Sequence, residues 1–163
     1  MKDSNPILNR GLTIVEVVIA TSIILAFLLA LFAVNNLYLR TAFLNTGSVK
    51  ATLLVEEGLE AIRFLRDSSW DDKILVLTPG TNYSLIFESN SWQTTTTNVF
   101  IDGTFERILT LSEVYRDGSD DIVSSGGTLD PDTRLVTVSV SWRVGSATTT
   151  KSISTYLSNI SDE

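Results

Sequence analysis

The chain contains no histidine and no cysteine among its 163 residues. Without cysteine it can form neither a disulfide framework nor a thiolate zinc site. Without histidine it lacks the base of Ser-His-Asp and Cys-His catalysis and the imidazole ligand of many metal centres. These absences exclude the commonest catalytic arrangements, so we expect neither enzymatic activity, nor catalytic residues, nor a cofactor.

Positive charge is also scarce, with 12 Lys and Arg against 19 Asp and Glu and a net charge of −7. Proteins that bind nucleic acid neutralise its phosphates with clustered Lys and Arg. Because this chain is acidic and its sequence shows no basic patch, nucleic acid is not an expected partner.

A long apolar run stands near the N-terminus. From Leu12 to Leu39 the only charged side chain is Glu16. A helix of about 20 apolar residues crosses a bilayer, and the bases Lys2 and Arg10 ahead of the run favour a cytoplasmic N-terminus. A cleaved secretory signal is disfavoured because its apolar region is only about 7–15 residues long.

The single charge within this run needs its own explanation. A carboxylate costs roughly 2.5–3.5 kcal/mol at the centre of a bilayer and less toward the interface. A plain membrane anchor gains nothing from that cost. Glu16 therefore indicates a site that awaits a partner.

The segment Arg10-Gly11-Leu12-Thr13-Ile14-Val15-Glu16 resembles the prepilin cleavage and methylation motif of type IV pilins and type II secretion pseudopilins. That motif has a basic residue, Gly, an apolar residue, and Glu at the fifth position after the Gly. Leu12 stands where Phe or Met is commoner. The resemblance implies that a prepilin peptidase cuts after Gly11 and that Leu12 becomes the N-methylated first residue. It also implies that Glu16 meets the amino group of a neighbouring subunit in a filament.

The same resemblance implies the partners and the location of the chain. The partners would be the prepilin peptidase, other pilin or pseudopilin subunits and the inner membrane. The chain would be a single-pass membrane protein before processing and part of an extracytoplasmic or cell-surface filament after assembly. Residues 25–34 lack the Gly or Pro that interrupts this helix in many pilins, and the C-terminal cysteine pair of many major pilins is missing. Both departures favour a minor subunit or a pseudopilin.

Helical patterning continues beyond the apolar run and is expected to end near residues 67–69. Apolar or small residues recur at steps of three and four, namely Ala51, Leu54, Val55, Gly58, Ile62 and Leu65. Gly58 is either a bend or a point of close packing. The acidic side chains of Glu56, Glu57 and Glu60 are read as a solvated face rather than a metal or partner site.

The remaining sequence alternates short apolar runs with turn residues, which predicts strands at 74–77, 83–87, 99–101, 105–114, 135–144 and 148–157. In the clearest of them Val136, Val138, Val140 and Trp142 share one face, and Gly145-Ser146 makes the next turn. The predicted fold class is α+β, with a long N-terminal helix packed on an antiparallel sheet. The predicted organisation is a leader removed on processing (1–11), a transmembrane and assembly helix (12–39), an amphipathic half of that helix (40–69) and an extracytoplasmic β-rich head (70–163).

Two features of the head invite a ligand. The carboxylates of Asp117, Asp120, Asp121, Asp130 and Asp132 are weak calcium candidates, although Asp is also an ordinary turn residue. The rings of Trp70, Trp92 and Trp142 could stack on a ligand, although Trp142 is expected in the core.

Two functions from different classes remain open. The first is a filament subunit that is inserted as a prepilin, trimmed after Gly11 and polymerised through its N-terminal helix. The second is a monomeric membrane-tethered binding module with an extracytoplasmic β domain.

Overall fold

The computed structural model describes residues 13–160 and has an α+β architecture. The predicted fold class, a long N-terminal helix followed by an antiparallel sheet, is confirmed. Helix α1 spans Ile14–Ser68, and a π-helical turn follows at Asp71–Leu75. The strands are β1 (Asn82–Glu88), β2 (Ser91–Thr95), β3 (Phe100–Ile101), β4 (Phe105–Arg116), β5 (Ile122–Val123), β6 (Thr128–Val144) and β7 (Ala147–Ser158). The described chain divides into two compact units between Phe43 and Leu44.

In the first unit, α1 is apolar on all sides. Every residue from Thr13 to Ala42 is exposed, including the large apolar side chains up to Leu39. The hydroxyls of Thr21 and Ser22 donate to carbonyls one turn back, at 2.9 and 2.7 Å, so these polar groups are satisfied within the helix. Of the helices in residues 13–160, α1 is the one long and apolar enough to cross a membrane.

In the second unit, the sheet has the strand order β2-β1-β4-β6-β7, and all neighbours are antiparallel. β3 and β5 add short pairings to β4. The alternation predicted for β6 is confirmed, because Val136, Val138 and Val140 are fully buried and Trp142 nearly so. They form one core with the periodic apolar residues of α1, which include Ala51, Val55, Ile62 and Leu65.

Gly58 lies at a point of close approach between helix and sheet. A Cβ built on Gly58 would stand 2.8 Å from Val138 Cγ1 and 3.1 Å from Arg107 Cδ. Since α1 is continuous through this position, Gly58 serves close packing rather than a bend.

The strand predicted at 74–77 is wrong, because this segment continues from the π-helical turn. Its buried side chains, Trp70, Ile74 and Leu77, follow steps of four and three, which is a helical period. The Ser69 hydroxyl accepts the Asp72 N–H and donates to the Asp72 carboxylate, both at 3.1 Å. The Ser69 hydroxyl thus satisfies a backbone N–H at the start of the helical turn that follows α1.

Two strands were not predicted, β2 and β5. β2 forms a hairpin with β1, and Glu88 pairs with Ser91 across the turn. The two turn residues, Ser89 and Asn90, have φ of 52° and 63°, as a two-residue type I′ turn requires. The predicted strands at 83–87, 99–101, 105–114, 135–144 and 148–157 are confirmed, and β6 begins earlier than expected, at Thr128.

Candidate functional site

The start of α1 holds the charged side chain that the sequence singled out. The Thr13 hydroxyl accepts the backbone N–H of Glu16 at 3.3 Å, and the Thr13 carbonyl accepts the N–H of Val17 at 3.1 Å. Thr13 is thus the N-cap, and Glu16 stands three residues after it at the capping-box position. The Thr-x-x-Glu spacing that signals this cap is visible in the sequence.

The Glu16 carboxylate lies in the first turn of α1, where the helix dipole favours negative charge. Glu16 is exposed, and none of the ion pairs among residues 13–160 includes it. The predicted processing residues Arg10, Gly11 and Leu12 lie outside the described residues. Within the described part, the site therefore consists of one carboxylate at the head of an exposed apolar helix.

This exposed helix has a clear energetic consequence. Fully burying a Val, Leu, Ile or Phe side chain is worth about 1.5–3 kcal/mol relative to leaving it in water. The helix exposes such side chains from Ile14 to Leu39 without covering them within its own unit. A surface of this kind is stable against lipid or against other apolar helices, and not in water.

The acidic loop of the head is organised around Arg116. Arg116 Nε lies 2.6 Å from the Asp130 carboxylate, and Arg116 Nη1 donates to the Asp120 carbonyl at 2.8 Å. The Asp117 carboxylate accepts the backbone N–H groups of Ser119 and Asp121 at 2.8 and 3.1 Å. A guanidinium therefore supplies the positive charge at this loop, and Asp117 closes a turn.

The electrostatics of the loop agree with this geometry. Burial alone would raise the pKa of Asp130, but hydrogen bonds from Arg116, Thr133 and the Asp132 N–H outweigh it, and the pKa is lowered. The hydrogen bond to Asp130 raises the pKa of Arg116. Between Thr13 and Ile160, the structure brings together no group of three acidic side chains that could hold a metal ion.

Arg107 is a residue whose importance the sequence did not reveal. It is 4% exposed and donates to the carboxylate of Glu57 at 2.7 Å and to the Leu54 and Leu85 carbonyls at 3.3 and 3.4 Å. Its guanidinium also lies 5.3 Å from the ring centre of Trp92. Arg107 thereby ties α1 to β1, β2 and β4.

The three tryptophans are used for packing. Trp70 and Trp142 are buried in the core, which confirms the expectation for Trp142. Trp92, which the sequence could not place, packs edge-on against Phe87 with ring centres 5.3 Å apart. The start of α1 consequently remains the candidate functional site. No protein-family model, curated protein or solved structure matches the chain.

Proposed function

We propose that this protein is a structural subunit of a type IV pilus-like or pseudopilus filament, a minor subunit rather than a major one. It is inserted in the membrane as a prepilin, cleaved after Gly11, N-methylated at Leu12 and polymerised through its N-terminal helix. The motif from Arg10 to Glu16, which resembles a prepilin processing site, supports the assignment.

One observation carries the proposal. The helix that follows this motif is exposed and apolar on every side, and its one charged side chain before Leu39 is the carboxylate of Glu16. Lipid covers the apolar surface of the helix in a monomer, and neighbouring helices cover it in a filament. Only the second state supplies a counter-charge for the carboxylate.

The counter-charge is the new amino group at Leu12. In a packed helical bundle an unpaired charge is costly, and an opposite charge in trans offsets much of that cost. Before cleavage this amine does not exist, so the leader prevents premature assembly. Cleavage thus converts a tolerated membrane carboxylate into a polymerisation contact.

Processing is tested by the intact mass of the full chain, extracted from membranes that contain a prepilin peptidase. We expect loss of Met1–Gly11 and gain of one methyl group. The matched variant Gly11→Val should keep the full-length mass. A full-length, monomeric wild-type protein would instead support the membrane-tethered binding module, and processing of Gly11→Val would refute the assigned cleavage site.

The role of Glu16 is tested with two matched variants. Glu16→Gln removes the charge but keeps a side chain that suits the capping box, whereas Thr13→Ala removes the cap hydroxyl and keeps the charge. We expect processed Glu16→Gln to yield no filaments in sheared preparations, and Thr13→Ala to yield them. Filaments from Glu16→Gln with loss from Thr13→Ala would show that Glu16 serves only the helix end.

A further inference from the structure

Strand β7 forms one edge of the sheet. It pairs with β6 over its whole length, from Val144–Ala147 at the turn to Thr133–Ser158, without a register shift. No other strand within residues 13–160 pairs with its outer side. Twelve residues of regular strand therefore present an unpaired row of backbone donors and acceptors.

This edge lacks the features that usually prevent pairing with another chain. Natural edge strands are kept short, bulged, or guarded by Pro and by charged side chains. β7 has no Pro and no acidic residue. Its one base, Lys151, donates to the hydroxyl of Thr52 on α1 at 2.7 Å. Because its ammonium group is held against the helix, Lys151 leaves the edge unguarded.

One apolar side chain of β7 lacks cover on this side. Ile153 pairs directly with Val138 across β6 and β7, so the two side chains lie on the same face of the sheet. Val138 is fully buried, whereas Ile153 is 40% exposed. A further strand beside β7 would cover the open flank of Ile153.

We propose that β7 pairs antiparallel with β7 of a second copy, about a two-fold axis perpendicular to the sheet. Charge permits this occupant, because β7 contains no acid and its one ammonium group is held by Thr52, so no carboxylates meet where two copies pair. Thr150, Ser152 and Ser154 already meet hydroxyls of β6 at 2.8–2.9 Å. In the proposed dimer, the hydroxyl side chains of one β7 would meet those of the other β7. Hydroxyls both donate and accept hydrogen bonds, as a self-complementary contact requires.

A two-fold axis perpendicular to the sheet reverses the direction of every strand in the second copy, so the contact joins two heads whose sheets run antiparallel. The inference does not depend on the proposed processing or polymerisation.

The absence of cysteine from the chain makes a direct test possible. Seven variants of the full chain each carry a single cysteine at one position from 149 to 155. Each variant is purified in detergent micelles and oxidised. At the two-fold axis, one residue of β7 must lie opposite the same residue of the other copy. The Cα atoms of these two residues are about 4.5–5.5 Å apart, which is within reach of a disulfide. For a residue two positions further along the strand, the two copies are separated by four residues of strand, or about 13 Å. We expect one position to give at least tenfold more disulfide dimer than positions two residues away.

Ser112→Cys, on the central strand β4, is the matched control and should give only background dimer. In the best cysteine variant, Ile153→Lys (or Thr155→Lys if the best cysteine stands at position 153) should lower the dimer yield at least tenfold, while Ser112→Lys should not. Circular dichroism checks that both lysine variants keep the fold. Equal yields at all strand positions, yields no higher than the Ser112→Cys control, or dimers unaffected by Ile153→Lys would overturn the proposal. Filament formation without the β7 dimer would refute this inference alone, and a β7 dimer without processing would refute only the proposed function.

Discussion

Replacing Gly58 with Ala tests whether helix and sheet approach as closely as described. In an isolated helix this change is stabilising by about 0.8–1.0 kcal/mol, because Gly is a poor helix former. In this protein the added methyl meets the core, so two opposing effects compete at one position.

The distances decide the sign. The new Cβ would lie 2.8 Å from Val138 Cγ1 and 3.1 Å from Arg107 Cδ, whereas carbon atoms in contact prefer about 3.5–4.0 Å. Val138 is fully buried and Arg107 nearly so, so neither can move into solvent. Overpacking of a dense core typically costs about 1–3 kcal/mol. After subtracting the helix gain, we expect a net destabilisation of about 1 kcal/mol.

A double-mutant cycle isolates the contact. Val138→Ala alone should destabilise the head by roughly 2 kcal/mol, from lost burial and a small cavity. In the double variant the methyl group added at position 58 occupies part of that space. The summed single effects should therefore exceed the double effect by about 1 kcal/mol or more. The free energy of unfolding is measured by denaturant titration of the full chain in micelles, followed by tryptophan fluorescence.

Two results would refute the reasoning. Stabilisation by Gly58→Ala would mean that helix propensity dominates and that the core has room at this position. Additivity within about 0.5 kcal/mol would mean that positions 58 and 138 do not touch.

Three further predictions concern charged residues of the second unit. Glu57→Gln should destabilise more than Arg107→Met in denaturant titrations, because it leaves a buried guanidinium without its counter-charge. Since Glu57 is half exposed, the difference should be about 1 kcal/mol or less, and the reverse order would contradict the pairing. Since the pKa of Asp130 is lowered from its ordinary 3.8, its contribution to stability is present above that value and is lost as the pH falls through the folded-state pKa. Asp130→Asn should accordingly lower the melting temperature at neutral pH and not in strong acid, and a deficit independent of pH would exclude this origin. Arg116→Gln removes the hydrogen bond that lowers the pKa of Asp130, so it should lower the melting temperature at neutral pH and not in strong acid; an equal deficit in acid would show that this interaction does not contribute.

The sequence predicted the parts of the fold that local periodicity specifies. The alternation from Val136 to Trp142 fits only a half-buried strand, and the steps of three and four from Ala51 to Leu65 fit a helix. The strand predicted after Ser69 is wrong because a short apolar run suits a strand or a helix equally well. The burial of Trp70, Ile74 and Leu77 shows that the helical period was present.

Pairings between distant residues were beyond the reach of sequence patterns. Arg107 meets Glu57 across 50 positions, and Arg116 meets Asp130 across 14. No local pattern specifies either partner, so the acidic loop could be read as a calcium candidate. Glu16 was identified from composition, since one carboxylate within an apolar run is conspicuous without any tertiary contact. Its cap at Thr13 was local and could have been found.

The packing of α1 on β6 also constrains biosynthesis. Gly58 and Val138 approach each other from distant parts of the sequence, and β6 and β7 are the last strands of the sheet. A ribosome makes the apolar stripe from Ala51 to Leu65 long before it makes its cover. The nascent head must therefore keep that stripe uncovered until residues 136–142 have emerged, and in that interval it is a target for chaperones and proteases.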